Sequence, residues 1–257
     1  LIKAFDMLRI EHLCKSFGGV QATSDVSIHF PAESLSAVIG PNGAGKTTFF
    51  NLISGALRPD SGRILLQGQD IVGLSSNEIV RRGIGRAFQV AKLFKTLTVE
   101  ESLRAALLSP LGQSTQMTGR FPLPQTRDRA HEVMEQLGLT SKADVVSGNL
   151  SHGDQKLLDI ALALVMRPKV LLLDEPVAGM GPEEREQMIE TVHTLWKRGG
   201  LTLVLIEHDM DIVFRISQHI HVLSYGKLLA QGNAEQIRSN PAVIEAYLGK
   251  PREVLHA

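Results

Sequence analysis

The sequence predicts an α/β fold with a mostly parallel sheet, and three observations carry that reading. Leu35 to Ile39 is an apolar strand-like run that leads into Gly40-Pro-Asn-Gly-Ala-Gly-Lys-Thr-Thr48 and then into Phe49-Phe-Asn-Leu-Ile53, which can continue as a helix. Strand, glycine loop and helix in that order are the context that G-x-x-x-x-G-K-[ST] requires. Val170 to Leu173 and Leu201 to Ile206 are short continuous apolar runs, the pattern of parallel strands covered on both faces. The first of them ends in Asp174-Glu175, at the carboxyl end of a strand, where open α/β sheets place their ligands.

Met7 to His12, Ser24 to Phe30, Leu35 to Ile39 and Arg63 to Leu66 read as strands, separated by turn signals at Gly18-Gly19, Pro59-Asp-Ser-Gly62 and Gly68. From about Ser75 to Leu139 the pattern becomes helical. Thr98 and Glu101 form a capping box that opens a helix through Leu108, and Ala130, Val133, Met134 and Leu137 fall at helical spacing before a stop at Gly138. Ser109 to Gln125, rich in Pro, Gly, Ser and Thr, reads as a loop or insertion and is the segment expected to move. Lys156 to Met166, apolar almost all round, reads as a buried helix ended by Pro168. No internal repeat or long heptad array is visible.

With 257 residues the chain can build one α/β domain or two small ones around a sizeable core. Its 27 basic and 27 acidic residues cancel, which argues against a general nucleic-acid binder but not against a local basic patch. The single cysteine, Cys14, can form no internal disulfide and no Cys/His spacing suggests structural zinc, so a reducing, cytoplasmic setting fits. No apolar run approaches the ~20 residues of a membrane-spanning helix, and Leu1 to Met7 does not resemble a signal peptide. Because position 1 is Leu, Met7 is read as a candidate start.

Gly40, Gly43 and Gly45 let backbone amides and a helix N-terminus surround a phosphate, with Lys46 reaching the β and γ phosphates and Thr47 ligating Mg²⁺. Asp174 would hold that ion through water, and Glu175 would polarise an attacking water as general base. Alone, the two acids could equally cap a following helix; beside a phosphate loop the catalytic reading is favoured. Leu150-Ser-His-Gly-Asp-Gln155 precedes the buried helix, and Ser151 with Asp154 makes a capping box that any helix could use.

Taken together, these elements resemble the ATP-binding cassette family, and the resemblance runs across nearly the whole chain. It implies a P-loop NTPase (RecA-like) core with a mostly parallel sheet, an antiparallel β subdomain and an α-helical subdomain. A single domain over 7–249 is expected. Its core and β subdomain would be about 7–85 and 165–232, its helical and signature subdomain about 86–164 and its C-terminal helices 233–249, with 1–6 and 250–257 as tails.

In that family Ser151 and Gly153 would face the γ-phosphate held by the opposite subunit; His152 and Asp154 depart from the usual LSGGQ. Phe17 matches the aromatic that stacks adenine, or is a core Phe. Gln89, in Gly85-Arg-Ala-Phe-Gln89, matches the glutamine that touches Mg²⁺ and the attacking water. His208 matches the switch histidine, and Gly181 stands where a loop aspartate is usual. The resemblance therefore implies ATP binding by Phe17, Gly40, Asn42, Gly43, Ala44, Gly45, Lys46, Thr47, Thr48 and Asp174. Catalysis would involve Glu175, His208, Lys46 and Gln89, and Mg²⁺ would be held by Thr47, Gln89 and Asp174.

Leu97-Thr-Val-Glu-Glu101, Ile206-Glu-His-Asp-Met210 and Asn240-Pro-Ala-Val-Ile-Glu-Ala-Tyr-Leu-Gly249 look like the ATPases of branched-chain amino-acid uptake systems, with urea or short-amide importers closely similar. The implied partners are transmembrane permease subunits, a second ATPase subunit of the same or a related chain and, indirectly, an extracytoplasmic solute-binding protein, on the inner face of the cell membrane. Leu93, Phe94 and Leu97 would form a groove for a permease helix, or else subdomain core. The competing readings are a soluble cassette ATPase of DNA repair or translation, which usually carries paired cassettes or coiled coils, and a P-loop kinase or GTPase, for which no N-K-x-D is present.

Overall fold

The computed structural model of the chain describes residues 6–88, 91, 93–108 and 126–248. In chain order the elements are β1 (Asp6–Phe17), β2 (Val20–Pro31), β3 (Leu35–Ile39), α1 (Lys46–Ile53), β4 (Ser61–Leu66), β5 (Gln69–Asp70), α2 (Ser76–Arg82), β6 (Ile84–Ala87), α3 (Val99–Ala106) and α4 (Arg127–Gln136). They continue with α5 (His152–Leu164), β7 (Val170–Asp174), α6 (Pro182–Lys197), β8 (Thr202–Ile206), α7 (Met210–Ile216), β9 (His219–Ser224), β10 (Lys227–Gly232), α8 (Ala234–Arg238) and α9 (Pro241–Leu248). Two compact units result, one of residues up to 74 and from 204 on, the other of residues 75–203.

In the first unit β2-β1-β4-β5 form an antiparallel sheet. Leu8, Ile10 and Leu13 of β1 and Val26, Ile28 and Phe30 of β2 are fully buried, because alternate side chains of a strand share one face. Both strands run well beyond the expected Met7 to His12 and Ser24 to Phe30. Left-handed residues at His12 (φ 50°) and Asp25 (φ 55°) accompany register shifts that let pairing continue.

A second set of strands in this unit lies in the order β10-β9-β3-β8, with β3 parallel to β9 and β10 antiparallel to it. β3 is buried at every position, the reason Leu35 to Ile39 is a continuous apolar run. Phe49 of α1 meets Phe30 with ring centroids 6.5 Å apart, and Phe30 stands edge-on to His221 at 5.1 Å. These rings seat α1 and, with it, the loop that precedes it. β9 and β10 escape the sequence pattern because β9 carries two histidines and every second residue of β10 is exposed.

In the second unit α2 opens on a complete capping box, Ser75 with Glu78, and closes on Gly83 in the left-handed region (φ 110°). β6 then pairs parallel with β7, Ile84 against Val170 through Ala87 against Leu173. Both halves of the Thr98/Glu101 capping box are formed, but α3 stops at Ala106, short of the expected Leu108. α4 buries Ala130, Val133 and Met134 as its spacing implies, and Gly138 (φ 70°) follows it.

α5 starts at His152, ahead of the expected Lys156, because Ser151 caps it: the Ser151 hydroxyl accepts the Asp154 N–H. Nor is α5 apolar all round, since Lys156 and Asp159 are buried in it. Buried charges need partners, and here Asp159 accepts the Phe88 N–H at 2.6 Å while Lys156 Nζ donates to the Phe88 carbonyl at 3.5 Å. Arg129 of α4 donates to the terminal α5 carbonyls of Leu164 and Val165 at 2.6 and 3.2 Å, satisfying groups that a helix end leaves open. Gln89 and the expected insertion Ser109 to Gln125 lie outside the described residues.

Candidate nucleotide site

The loop Gly40 to Thr48 is shaped by close backbone approach. A Cβ on Gly45, which sits at φ 98°, would stand 2.1 Å from the Ala22 carbonyl oxygen, and one on Gly40 would stand 2.2 Å from that of Leu223. The loop is tied down further by the Gly226 N–H to the Ala44 carbonyl (3.1 Å) and the Ser24 N–H to the Gly226 carbonyl (2.7 Å). Helix α1 begins at Lys46 with no side-chain cap and no acid in its first turn. Its amide dipoles are therefore offered to an anion. Asn42, Gly43 and Thr47 are exposed, and Lys46 Nζ donates to the loop's own Gly40 and Pro41 carbonyls at 2.7 and 3.1 Å. A cavity of about 710 Å³ runs beside the loop, lined by Asn42, Gly43, Tyr225, Leu229, Ala242 and Glu245, among others.

Two more of the expected residues belong to this unit. Phe17 is 46% exposed at the tip of the β1–β2 hairpin, with the Lys15 ammonium 5.6 Å from its ring centre, so it is not core. His208 follows β8 and is exposed; the Glu207 carboxylate beside it is fully buried, accepts the His208 N–H at 3.2 Å and lies 4.0 Å from the imidazole.

The other set belongs to the second unit. β7 is buried throughout and delivers Asp174, 5% exposed, at its end. Arg86 from β6 donates to Asp174 at 2.9 Å and lies over the Phe88 ring at 4.9 Å. Glu175 turns the chain at φ 48°, a conformation of order 1–3 kcal/mol above the ordinary ones for a residue with a Cβ.

The Ser151 segment is organised by side chains. The Ser151 hydroxyl donates to Asp154 Oδ2 at 2.6 Å while accepting the Asp154 N–H at 3.2 Å, and Lys142 forms an ion pair with Asp154 Oδ1. Burial works to raise the Asp154 pKa, but the hydrogen bonds from Lys142 and Ser151 and the Lys142 charge outweigh it and hold the carboxyl below its ordinary value. His152 lies 3.3 Å from the Ala178 carbonyl, so this departure from the family pattern touches the loop that carries the other one, Gly181. Gly181 itself is the cap position of α6, ahead of Pro182. Leu93 is half-buried and Phe94 is 51% exposed.

Arg86, Lys142, Asp159 and Glu207 are absent from the sequence-derived site. Of these only Asp159 carried a signal, being a charge inside an otherwise apolar helix.

The architecture and these residues define an ATP-binding cassette ATPase. A family model described as ABC transporter matches residues 23–178, and one described as branched-chain amino acid ATP-binding cassette transporter matches residues 227–253. The chain belongs to the ABC transporter family, within its group of branched-chain amino acid transport ATP-binding proteins. It is 41% identical over 250 residues to the high-affinity branched-chain amino acid transport ATP-binding protein LivG of Escherichia coli, covering 95% of this chain and 98% of that one. It is 40% identical over 251 residues to BraF, of the same description, from Pseudomonas aeruginosa, with the same coverage. Among solved structures, a nucleotide-free ATP-binding cassette from an ABC transporter superimposes with a TM-score of 0.85 at 32% identity, over 95% of this chain and all of that one.

Proposed function

We propose that the chain is the ATP-hydrolysing subunit of an importer for branched-chain or other hydrophobic amino acids. The observation that carries the proposal is the phosphate loop: an uncapped helix start, glycines no other residue can replace, and Lys46 at its mouth. The solute class is supported by the near full-length similarity to LivG and BraF, which are branched-chain amino acid transport proteins, and by the match of residues 227–253.

Phe17 stacks the adenine, and the amides of Gly40 to Thr48 with Lys46 hold the phosphates. Lys46 must first leave the Gly40 and Pro41 carbonyls that it now occupies. Glu175 draws the proton from the attacking water, with Gln89 and His208 orienting water and γ-phosphate. Thr47 and Asp174 are hard oxygen donors, the kind Mg²⁺ takes. No cluster of three or more His, Cys, Asp or Glu poised for a metal exists among the described residues. Gln89, phosphate and water would supply the ion's remaining ligands. Bound there, Mg²⁺ would supply charge neutralisation to the transferring phosphoryl group.

Ser151 and Gly153 serve the ATP of a second ATPase subunit, so each site closes only in a dimer. Closure and reopening drive permease subunits on the inner face of the membrane, which a solute-binding protein supplies from outside. No helix among the described residues is long and apolar enough to cross a membrane itself.

Glu175→Gln tests the core of this reading. The variant is expected to bind ATP and dimerise with it while hydrolysis drops by roughly a hundredfold or more, the scale of losing a general base. Near-normal turnover would remove Glu175 from the mechanism. Reconstitution with the co-purified permease then separates the solutes: ATP-dependent uptake of leucine supports the assignment, and uptake of urea instead overturns it.

A further inference from the structure

The Ser151 hydroxyl has one proton, and that proton is committed to Asp154 Oδ2 at 2.6 Å. A serine that is to donate to a phosphate oxygen must give up this bond. The same carboxylate stands where the family carries a neutral glutamine, so it sets a negative charge next to the hydroxyl that should meet a negative ligand. Lys142, on the short turn Thr140–Lys142, answers both problems because its ammonium pairs with the other oxygen, Asp154 Oδ1. Lys142, Ser151, Gly153 and Asp154 all line one cavity of about 380 Å³, to which Glu184 adds a second carboxylate. Among the described residues that line it, Lys142 is the one cation.

We propose that Lys142 is a positioning residue for nucleotide engagement by the Ser151 segment: it neutralises Asp154 and holds it in place, so that the Ser151 hydroxyl can turn from Asp154 to a phosphate. Asp154 with Lys142 then does together what a single glutamine does elsewhere in the family. The inference rests on the reading that Ser151 faces ATP.

The experiment compares Lys142→Met, Lys142→Arg, Lys142→Met with Asp154→Gln, and Ser151→Ala in the full chain, measuring steady-state ATP hydrolysis and ATP-dependent dimerisation. Removing Lys142 is expected to cut hydrolysis by about tenfold, the scale of one charge-assisted hydrogen bond. The added Asp154→Gln restores most of the loss, and Lys142→Arg retains activity. Lys142→Met at wild-type activity, or a loss that Asp154→Gln does not rescue, overturns the proposal. If Lys142→Met fails to fold, the decision falls to the double variant and Lys142→Arg: both active supports the proposal, and either one folded but inactive overturns it. Ser151→Ala tells the two failures apart. If it leaves hydrolysis and dimerisation untouched, the reading of Ser151 falls and takes this inference with it; if it abolishes them while Lys142→Met does nothing, the inference falls alone.

Discussion

The phosphate loop and the Ser151 segment both present a helix start to an anion, yet one is made by backbone and the other by side chains. At Gly40 to Thr48 the shape comes from glycines pressed against the Leu223 and Ala22 carbonyls, and α1 starts with no side-chain cap. At Ser151 the start of α5 is fixed by the Ser151, Asp154 and Lys142 side chains, and a Cβ on Gly153 would find its nearest neighbour, Glu184 Oε1, a comfortable 3.8 Å away. A backbone-built cradle leaves almost no freedom of sequence. A side-chain-built one can be rewritten, and His152 and Asp154 are such rewritings.

The sharpest way to break this contrast is a pair of alanines. Gly45→Ala drives a Cβ to 2.1 Å from a backbone oxygen at φ 98°, and is expected to cost about 3 kcal/mol or more and to abolish nucleotide binding. Gly153→Ala, inside a helix with room for the methyl, is expected to leave stability unchanged or raise it by up to about 1 kcal/mol. Thermal unfolding of both variants decides; equal losses would show that the two helix starts are built alike.

That contrast also explains which elements the residues reveal by themselves. Glycine loops, apolar strands and capping boxes are local, so β3, the loop, α3 and the end of β7 are legible in the sequence alone. The start of α5 is marked by the Ser151/Asp154 cap and blurred only because the apolar run begins later, at Lys156, whereas β10 is hidden because half of it faces water. Pairings across the fold carry no local mark. Arg86 meets Asp174 across 88 residues and Lys142 meets Asp154 across 12, and neither partner announces the other.

Buried polar groups give the next largest effect, and His221 contrasts with Asp174, Lys156 and Asp159. In the second unit Asp174, Lys156 and Asp159 are paired. In the first, His221 is 4% exposed and neither ring nitrogen completes a hydrogen bond. Burial, helped by the charges of His219 and His29 and only partly offset by Gln231, lowers its pKa to about 4. The folded protein thus keeps His221 neutral where the unfolded chain, with an ordinary value near 6.5, takes up a proton. Stability from this group is complete above pH 6.5, falls as pH drops to about 4, and changes no further below that. The loss across that window is expected to be about 3 kcal/mol. Denaturant unfolding from pH 7 to pH 4 measures it, and His221→Leu should flatten that limb; an unchanged slope would assign the acid sensitivity to other groups.

The smallest expected effect probes the backbone cradle from behind. Tyr247 of α9 buries its hydroxyl without a completed hydrogen bond. Burial raises the phenol's pKa to about 12, and the Gly40 backbone is near enough to offset only part of that rise without forming a well-aligned bond. A buried hydroxyl left unpaired forfeits its hydration for nothing, so Tyr247→Phe should hold stability constant or add up to about 1 kcal/mol. Because Gly40 is already fixed by its contact with Leu223, nucleotide affinity should stay within about twofold, well below the factor of ten that 1.4 kcal/mol represents. A clear loss of affinity in Tyr247→Phe at unchanged melting temperature would mean that the cradle leans on this side chain, and that the division between a backbone-built and a side-chain-built helix start is less strict than the glycines suggest.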